Sequence, residues 1–311
     1  MTINRRTLLA GLAAAAATTR VARAQGWRGQ YPELVYAVVP AENAAGVTDR
    51  FALFVDYLGH ELGTKVTLRV ANDYAAVIEG QRAGNIHIGY YGPASFSRAR
   101  LTGVATDAFV IDVNSDGSKG YYSVFYVLAK SPYRKIDDLK GKNLGLVDPN
   151  STSGYNMPLY TLDKLGISPD TFFGKTEMTG SHENAVLALT QGTVDVAANW
   201  WNADDDSNLT RMLNKGMLKN PDGSPMKKED FRIILKSELI INSPTAMLSN
   251  LPPELQTAIC IAFLEAATKD KAAFDKLSDG KNLPWQEIDN AAYDDTIKMI
   301  QFVDRLRKKS S

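Results

Sequence analysis

The sequence contains little of what metal centres and disulfide-linked folds need. Cys260 is the only cysteine, so no disulfide can form within the chain. The three histidines, His60, His87 and His182, show no metal-like spacing. We interpret Cys260 as a core residue of a helical stretch, because a lone cysteine is usually buried. The composition therefore predicts neither a zinc site nor a disulfide scaffold.

The chain also has no excess of charge of either sign. Lysine plus arginine and aspartate plus glutamate both number 35, which gives a formal net charge of +0. Without a basic stripe, no nucleic-acid partner is expected. The sequence lacks both the Gly-x-x-x-x-Gly-Lys-Ser/Thr loop and the Gly-x-Gly-x-x-Gly fingerprint, so no nucleotide cofactor is predicted either. Any anion site must therefore be built from local donors.

The sequence also has no apolar run of about 18 or more residues, which a membrane-spanning helix needs. Its one marked apolar stretch lies at the start of the chain. Arg5-Arg6 precedes an apolar stretch from Leu8 to Ala17, and small residues at Ala22 and Ala24 fit a peptidase site. This pattern predicts an export signal that is cleaved after Ala24, and hence a periplasmic protein. The paired arginines resemble a twin-arginine signal. Asn4, in place of the more usual serine, leaves an ordinary secretory signal open.

Beyond the signal, short apolar strands alternate with amphipathic helices. A length of 311 residues predicts about two domains. The alternation is typical of an α/β fold with a mostly parallel sheet. From Ser243-Pro244 onward the pattern predicts a mostly helical chain.

The second α/β unit reads as an insertion into the first. Two extended segments, Tyr121 to Lys130 and Leu235 to Ile241, flank it. We therefore expect lobe 1 to contain residues 30–128 and 238–311, and lobe 2 to contain residues 129–237. Two strands that both cross between lobes would form a hinge, and a ligand held between the lobes would draw it shut.

The segment Asp148-Pro149-Asn150-Ser151-Thr152-Ser153-Gly154-Tyr155 lies between an apolar strand and an amphipathic helix. The first amides of a helix have no intrahelical partners, and three consecutive hydroxyls add donors beside them. Together they suit a phosphate-like group without any lysine or arginine in the motif. The same residues are also typical of an ordinary turn followed by an N-cap.

Further neutral donors follow other strands or open other helices. Tyr74 and His182 each stand at a predicted helix start, and Tyr121 opens the predicted hinge strand. Packing or capping is the alternative role for each of them. The pair Trp200-Trp201 and Asn202 end a strand, where α/β folds place their ligand crevices. One tryptophan of the pair is a candidate wall for a ligand, and we assign Trp201 together with Asn202.

A serine nucleophile is a second interpretation of the same residues. Ser151 or Ser153 with His182 as base would suit a secreted hydrolase. The sequence contains no Gly-x-Ser-x-Gly elbow and no acid clearly placed to orient the histidine, which disfavours this reading.

Five motifs taken together resemble the periplasmic phosphonate-binding components of ABC uptake systems, which are relatives of phosphite- and phosphate-binding proteins. The resemblance runs through most of the chain beyond the signal. It rests on Asp73-Tyr74-Ala75-Ala76-Val77-Ile78-Glu79-Gly80, Gly120-Tyr121-Tyr122-Ser123-Val124, Asp148 to Gly154, Gly180-Ser181-His182-Glu183-Asn184 and Val194-Asp195-Val196-Ala197.

The resemblance implies a type II periplasmic-binding fold, with two three-layer α/β domains joined by a two-strand hinge. It also implies a set of ligands for the phosphonate group, which fall on Tyr74, Tyr121, Ser151, Thr152, Ser153 and His182.

Two positions depart from the family pattern. Members that bind 2-aminoethylphosphonate have a glutamate where this chain has Asn202 and an aspartate where it has Ser243. Those carboxylates hold the ammonium group of the ligand. The run Asp204 to Asp206 is one possible replacement, although a solvated helix start is its more ordinary role. The nature of the phosphonate substituent therefore stays open, and Trp200 or Trp201 would favour a small or apolar group such as methyl.

The expected function is capture of a phosphonate and its delivery to an ABC permease, with no catalysis and no cofactor. Phosphite or phosphate is the alternative ligand within the same fold. A ligand-sensing module for a membrane receptor is a further alternative, because such folds serve both roles.

Overall fold

The computed structural model describes residues 26–310 of the chain. The predicted export signal, including the cleavage after Ala24, lies outside the described residues. Between residues 26 and 310, no helix is long and apolar enough to span a bilayer.

The strands of this part of the chain form two sheets. In chain order they are β1 (Glu33–Val38), β2 (Lys65–Val70), β3 (Ile88–Tyr90), β4 (Thr106–Asn114), β5 (Gly120–Leu128), β6 (Asn143–Leu146), β7 (Lys175–Met178), β8 (Val196–Ala203), β9 (Asp206–Ser207), β10 (Phe231–Lys236), β11 (Ile240–Ile241), β12 (Pro244–Leu248) and β13 (Asn282–Glu287). The first sheet has the order β13-β4-β12-β3-β1-β2. The second has the order β10-β5-β8-β6-β7, with β11 beside β5 and β9 beside β8.

The helices cover both sheets. They are α1 (Ala44–Leu62), α2 (Tyr74–Arg82), α3 (Pro93–Leu101), α4 (Met157–Lys164), α5 (Pro169–Phe172), α6 (His182–Thr190), α7 (Asn208–Asn214), α8 (Pro253–Lys269), α9 (Lys271–Ser278) and α10 (Asp294–Ser310). A π-helical turn, Thr152–Asn156, leads into α4, and short 3₁₀ turns lie at Ile136–Leu139, Lys228–Asp230 and Asn290–Tyr293.

Alternation along the strands gives the first sheet a core on each face. Tyr36 of β1 packs with α1, α8 and α9 on one face, and Ala37 packs with α2 and α3 on the other. Phe54 of α1 and Phe263 of α8 are fully buried, with ring centroids 5.0 Å apart. Cys260 of α8 is half-buried and packs against the same core, so it contributes to packing as the sequence predicts.

The second sheet is built in the same way. Phe125 and Val127 of β5 pack with α4, whereas Val124 and Tyr126 pack with α6 and α7. Each sheet therefore lies between two helical layers. This arrangement confirms the predicted α/β architecture of two three-layer units.

The prediction of a mostly parallel sheet is wrong, because both sheets are mixed. In the first sheet β1 pairs in parallel with β2 and β3, and the remaining pairings, through β12, β4 and β13, are antiparallel. In the second, β6 is parallel to β7 and β8, while β5 is antiparallel to β8 and β10. In each sheet, the strand that enters from the other unit, β12 in the first and β5 in the second, pairs only antiparallel with its neighbours.

The prediction of a mostly helical chain beyond Ser243-Pro244 is confirmed by α8, α9 and α10, although it misses β12 and β13. All five residues of β12 are buried in the middle of the first sheet, and so short an apolar run carries no clear strand period. The edge strand β13 contains Pro284 and shifts register between Leu283 and Gln286. Proline is tolerated in sheets at edges and bulges, so β13 lacks the usual strand composition.

The chain crosses between the sheets next to β5. Because β5 belongs to the second sheet, the first crossing lies in the turn at residues 115–119, before this strand, and not after residue 128. The return runs from β10 through β11, which pairs with the start of β5. Asn114 Nδ2 donates to Gly120 O at 2.7 Å, and Asn242 Nδ2 donates to Asn114 Oδ1 at 3.0 Å. We propose these two adjoining crossings as the lobe boundaries.

Candidate functional site

A cavity of about 160 Å³ lies between the two sheets, beside the crossings. It brings together side chains that the sequence predicted as one site, namely Tyr74, Tyr121, Ser151, Thr152, Ser153, His182 and Asn202. Tyr74 belongs to the helical layer of the first sheet, whereas Ser151 and His182 follow strands of the second sheet. The site is therefore complete only where the two units meet.

The segment after β6 forms a helix start that is held in place by its own polar groups. Ser151 is the N-cap, and its Oγ accepts a hydrogen bond from Gly154 N at 3.1 Å. Asn156 Nδ2 donates to Pro149 O at 2.9 Å and to Ser151 O at 2.8 Å, which fixes the approach to the cap. The amides of the next residues open the π-helical turn and have no intrahelical partners. We call Ser151, Thr152 and Ser153 with their amides the cradle.

The cradle requires glycine at position 154. A Cβ atom there would lie 2.4 Å from Val147 Cβ and 2.8 Å from Ser151 Oγ. Because Val147 is a buried core residue, it has no room to move aside. The close approach brings the helix start against the end of β6.

The Thr152 hydroxyl links the cradle to the first unit. Its Oγ1 accepts a hydrogen bond from Ala94 N, at the start of α3, at 2.8 Å. A hydroxyl that accepts from a backbone amide keeps its own proton for a second partner. Thr152 lines the cavity, so this proton is available to a ligand.

Two tyrosine hydroxyls face the cradle and stay protonated. Tyr74 is the first residue of α2, whose N-cap Asp73 accepts from Ala76 N at 2.7 Å. Burial raises the pKa of Tyr74 well above its usual value, and the Ser151 hydroxyl only partly offsets this. Burial also raises the pKa of Tyr121, to about 12, although hydrogen bonds with Thr152 and Ser153 oppose this shift. Both hydroxyls are therefore neutral donors at any physiological pH.

His182 is a buried neutral imidazole at the start of α6. Its backbone N donates to Ala41 O of the first unit at 3.0 Å. Burial lowers the pKa of His182 to about 4, although the Glu42 carboxylate opposes this shift. Its Nδ1 atom is buried and has no hydrogen-bond partner among the described residues. A buried polar atom without a partner costs about 1–3 kcal/mol, which a ligand group in the cavity would offset.

Trp201 does not line the cavity, which corrects its assignment to the site. Trp200 lines it instead. Successive residues of a strand point to opposite faces, so only one of the pair can reach the cavity. Trp201 packs beside Tyr122, at 5.9 Å between ring centroids, and its ring lies 4.1 Å from Lys236 Nζ.

The aspartates after β8 are not ligand groups of the cavity. Asp204 and Asp205 are 80% and 75% exposed and pair with Lys228 and Lys281. Asp206 is buried, and it accepts from Asn202 Nδ2 at 2.7 Å. The run is thus a solvated helix start with one residue that positions Asn202.

Four charged residues that the sequence analysis did not identify also line the cavity, namely Glu42, Arg50, Asp112 and Arg211. They come from four separate elements of the chain. No local motif marks any of them, so only the fold reveals that they meet.

Glu42 is the centre of an ion cluster that joins the two units. Arg50 of the first unit lies 2.8 Å from its carboxylate, and Arg211 of α7 and Lys215, which follows α7, lie at 3.1 and 3.6 Å. Burial alone would raise the pKa of Glu42, yet the three cations lower it overall. Glu42 is therefore ionised and fully compensated.

A second contact between the units lies outside the cavity. The Glu183 carboxylate, one residue after His182, accepts from Asn43 N and from Asn43 Nδ2, both at 2.7 Å. Glu183 is buried. Together with the Glu42 cluster, this contact joins the two units beside the cavity.

Metal ligands and a serine–histidine pair were the other arrangements considered for this site. Between residues 26 and 310, no group of three or more His, Cys, Asp or Glu residues is placed to hold a metal ion. The Ser151 Oγ is already bonded to Gly154 N, and His182 Nδ1 has no serine partner.

Comparisons with known proteins agree with this geometry. A family model described as ABC transporter, phosphonate, periplasmic substrate-binding protein matches residues 36–293. The chain is 30% identical over 257 residues to the phosphonates-binding periplasmic protein of Escherichia coli (strain K12), covering 80% of this chain and 71% of that protein.

Two solved structures share the fold. One is a binding protein component of an ABC phosphonate transporter from Pseudomonas aeruginosa, with a TM-score of 0.75, 23% identity, and coverage of 90% of this chain and 89% of that one. The other is a Prochlorococcus marinus protein in complex with methylphosphonate, with a TM-score of 0.72, 20% identity, and coverage of 88% and 98%. These likenesses confirm the predicted two-sheet periplasmic-binding fold.

The close packing of the cradle predicts a stability loss for Gly154→Ala. Overpacking against Val147 should lower the free energy of unfolding by about 1–3 kcal/mol. Chemical denaturation would measure this loss. Gly29→Ala is the control, because nothing lies within 4 Å of a Cβ there. Equal stability of the two variants would contradict the account of the cradle.

The buried neutral His182 predicts a dependence of stability on pH. An ordinary histidine in the unfolded chain titrates near 6.5, whereas burial lowers the pKa of His182 to about 4. The contribution of neutral His182 to the free energy of unfolding is therefore fully present above about pH 6.5. It falls by up to about 3 kcal/mol as pH drops to 4, because only the unfolded state takes up the proton.

The stability difference between wild type and His182→Gln should therefore shrink as pH falls from 7 to 4. Denaturation at several pH values would measure it. His60→Gln is the control, because the His60 side chain is 89% exposed. A difference for His182→Gln that does not change with pH would contradict a buried neutral imidazole.

Proposed function

The chain belongs to the family of periplasmic substrate-binding proteins of phosphonate ABC transporters, and we propose that it captures a phosphonate in the cavity between its two sheets and delivers it to a membrane permease. The observation that carries this proposal is the cradle, facing the neutral donors Tyr74, Tyr121 and His182 across one cavity. The E. coli relative is named for binding phosphonates, and the P. marinus protein was solved with methylphosphonate. Both support a phosphonate as the ligand.

The donor set suits a tetrahedral oxyanion. Hydroxyl, imidazole and amide N–H groups donate to phosphonate oxygens, and the partial positive charge of a helix start adds to them. Each such charge-assisted bond contributes about 1.5–3 kcal/mol. Five or six of them give roughly 8–18 kcal/mol before the costs of association and closure. A net of about 8 kcal/mol corresponds to micromolar binding.

The same geometry favours binding over hydrolysis. An imidazole whose pKa lies at about 4 is a weak base at neutral pH. His182 Nδ1 forms no hydrogen bond with the Ser151 hydroxyl, so the pair is not arranged as nucleophile and base. We therefore propose that the protein releases its ligand unchanged and that it is not an enzyme.

The family is periplasmic, and the start of the sequence fits that location. We propose that the mature protein begins after Ala24 and works in the periplasm, with the permease in the inner membrane.

Calorimetry with residues 25–311 tests the proposed function. We expect heat of binding and micromolar or tighter affinity for methylphosphonate. Ser153→Ala should weaken binding of methylphosphonate and of every other phosphonate by about 10- to 100-fold, since it removes one charge-assisted donor. Ser249→Ala, which is exposed and away from the cavity, is the control. Tighter binding of phosphite or phosphate would favour the alternative ligand, and no binding of any of them would refute the proposal.

The contact between Glu183 and Asn43 predicts a variant that acts through closure. Glu183→Gln keeps the shape of the side chain but removes its negative charge, so the two hydrogen bonds from Asn43 are weakened. The closed form therefore loses stability relative to an open one. We expect about tenfold weaker binding of every phosphonate, with the order of preference unchanged, because Glu183 does not line the cavity.

Calorimetry over the same ligands would measure this effect. Glu238→Gln is the matched control, because its side chain is 67% exposed and pairs only with Lys164. Unchanged affinity, or a changed order of preference, would show that this contact does not control closure.

A further inference from the structure

The cavity extends beyond the cradle and is larger than a methyl substituent needs. Its volume of about 160 Å³ resembles that of an apolar cavity of about 150 Å³ that holds benzene. The part away from the cradle is walled by Phe51, Tyr90, Phe274 and Trp285. A phosphonate seated in the cradle therefore has room for a longer side group.

Asp112 of β4 places a carboxylate in this wall. Its Oδ1 accepts from Trp285 Nε1 at 2.8 Å, and its Oδ2 accepts from Tyr90 OH at 2.6 Å. An indole N–H can only donate, so Oδ1 acts as an acceptor. Both donors are neutral. They orient the carboxylate without cancelling its charge.

Asp112 differs from Glu42, the other acid in the cavity wall. Among residues 26–310, no lysine or arginine forms an ion pair with Asp112, whereas three cations surround Glu42. The two arginines in the wall both pair with Glu42, although the Nε atom of each is buried without a hydrogen-bond partner among the described residues. Arg50 donates to Glu42 and to Leu277 O, and Arg211 pairs with Glu42 and Asp279.

An unpaired carboxylate in the protein interior is costly. Burial raises the pKa of the Asp112 carboxyl above its ordinary value, although the donors Tyr90 and Trp285, and the more distant charges of Arg211 and Arg50, oppose this shift. Asp112 nevertheless keeps part of its surface uncovered, and it lines the cavity. A cation brought by the ligand would compensate the charge, and the rings of Tyr90 and Trp285 would attract the same cation.

We propose that the phosphonate carries a cationic side group, such as the ammonium of an aminoalkylphosphonate, and that Asp112 receives it between Tyr90 and Trp285. This inference rests on the proposed function, because it assumes that the phosphonate group lies in the cradle. Asp112 then supplies the carboxylate that neither Asn202 nor Ser243 can supply. The cradle determines the class of ligand, and Asp112 determines which member is preferred.

The wild-type protein provides the first test, which needs no variant. Calorimetry would compare 2-aminoethylphosphonate with propylphosphonate, which has a methyl group in place of the ammonium, and with methylphosphonate and phosphonoacetate. We expect 2-aminoethylphosphonate to bind at least tenfold more tightly than propylphosphonate. Equal or tighter binding of propylphosphonate would overturn the inference, and so would tightest binding of phosphonoacetate, which would assign the side group to Arg50 or Arg211.

The variant Asp112→Asn tests the residue itself. It should weaken 2-aminoethylphosphonate at least tenfold and change methylphosphonate less than threefold. Asp205→Asn is the matched control, because this aspartate is 75% exposed, and it should change neither. Equal weakening of both ligands by Asp112→Asn would indicate a purely structural role and would overturn the inference.

The outcomes also separate this inference from the proposed function. If methylphosphonate binds and the ammonium brings no preference, only the role of Asp112 fails. If no phosphonate binds, the proposed function fails, and the inference fails with it.

Discussion

Buried hydrogen-bond donors without protein partners are the constraint on which the rest of the structure depends. The helix start after β6 turns its first amides into the interior, and His182 adds an imidazole nitrogen that has no partner among the described residues. Leaving such groups unpaired costs free energy. Where water is excluded, an acceptor-rich ligand offsets that cost, and a tetrahedral oxyanion has the right geometry. The cradle, Tyr74, Tyr121 and His182 are neutral donors, so they select an oxyanion largely by its shape and its hydrogen bonds, whereas the two arginines in the cavity wall pair with Glu42.

The same constraint explains why the site lies between the two units. Water would satisfy the donors of an open cleft, so they discriminate only when water is excluded. Contacts across the cleft provide that exclusion: Ala94 N donates to Thr152 Oγ1, His182 N donates to Ala41 O, and Glu42 pairs with Arg211. The charged groups near the cavity therefore have different roles. The Glu42 cluster joins the two units, whereas Asp112 stays available to the ligand.

The sequence was sufficient for the features that depend on neighbouring residues. The cradle, the helix starts at Tyr74 and His182, and the alternation of strands and helices are all local patterns, and the structure brings them together as expected. Features that depend on distant residues were missed. Asp112 gains its role from Tyr90 and Trp285, which lie far from it in the chain. The choice between Trp200 and Trp201 depended on which face of β8 meets the cavity, and an error of one residue reverses that choice.

The most direct test of the account is a crystal structure of the mature chain with methylphosphonate. We predict phosphonate oxygens within about 2.7–3.0 Å of donors of Thr152, Ser153 and His182, with the methyl group directed toward Asp112. A phosphonate bound at Arg50 and Arg211, with no contact to the cradle, would contradict the central claim that neutral buried donors recognise the ligand.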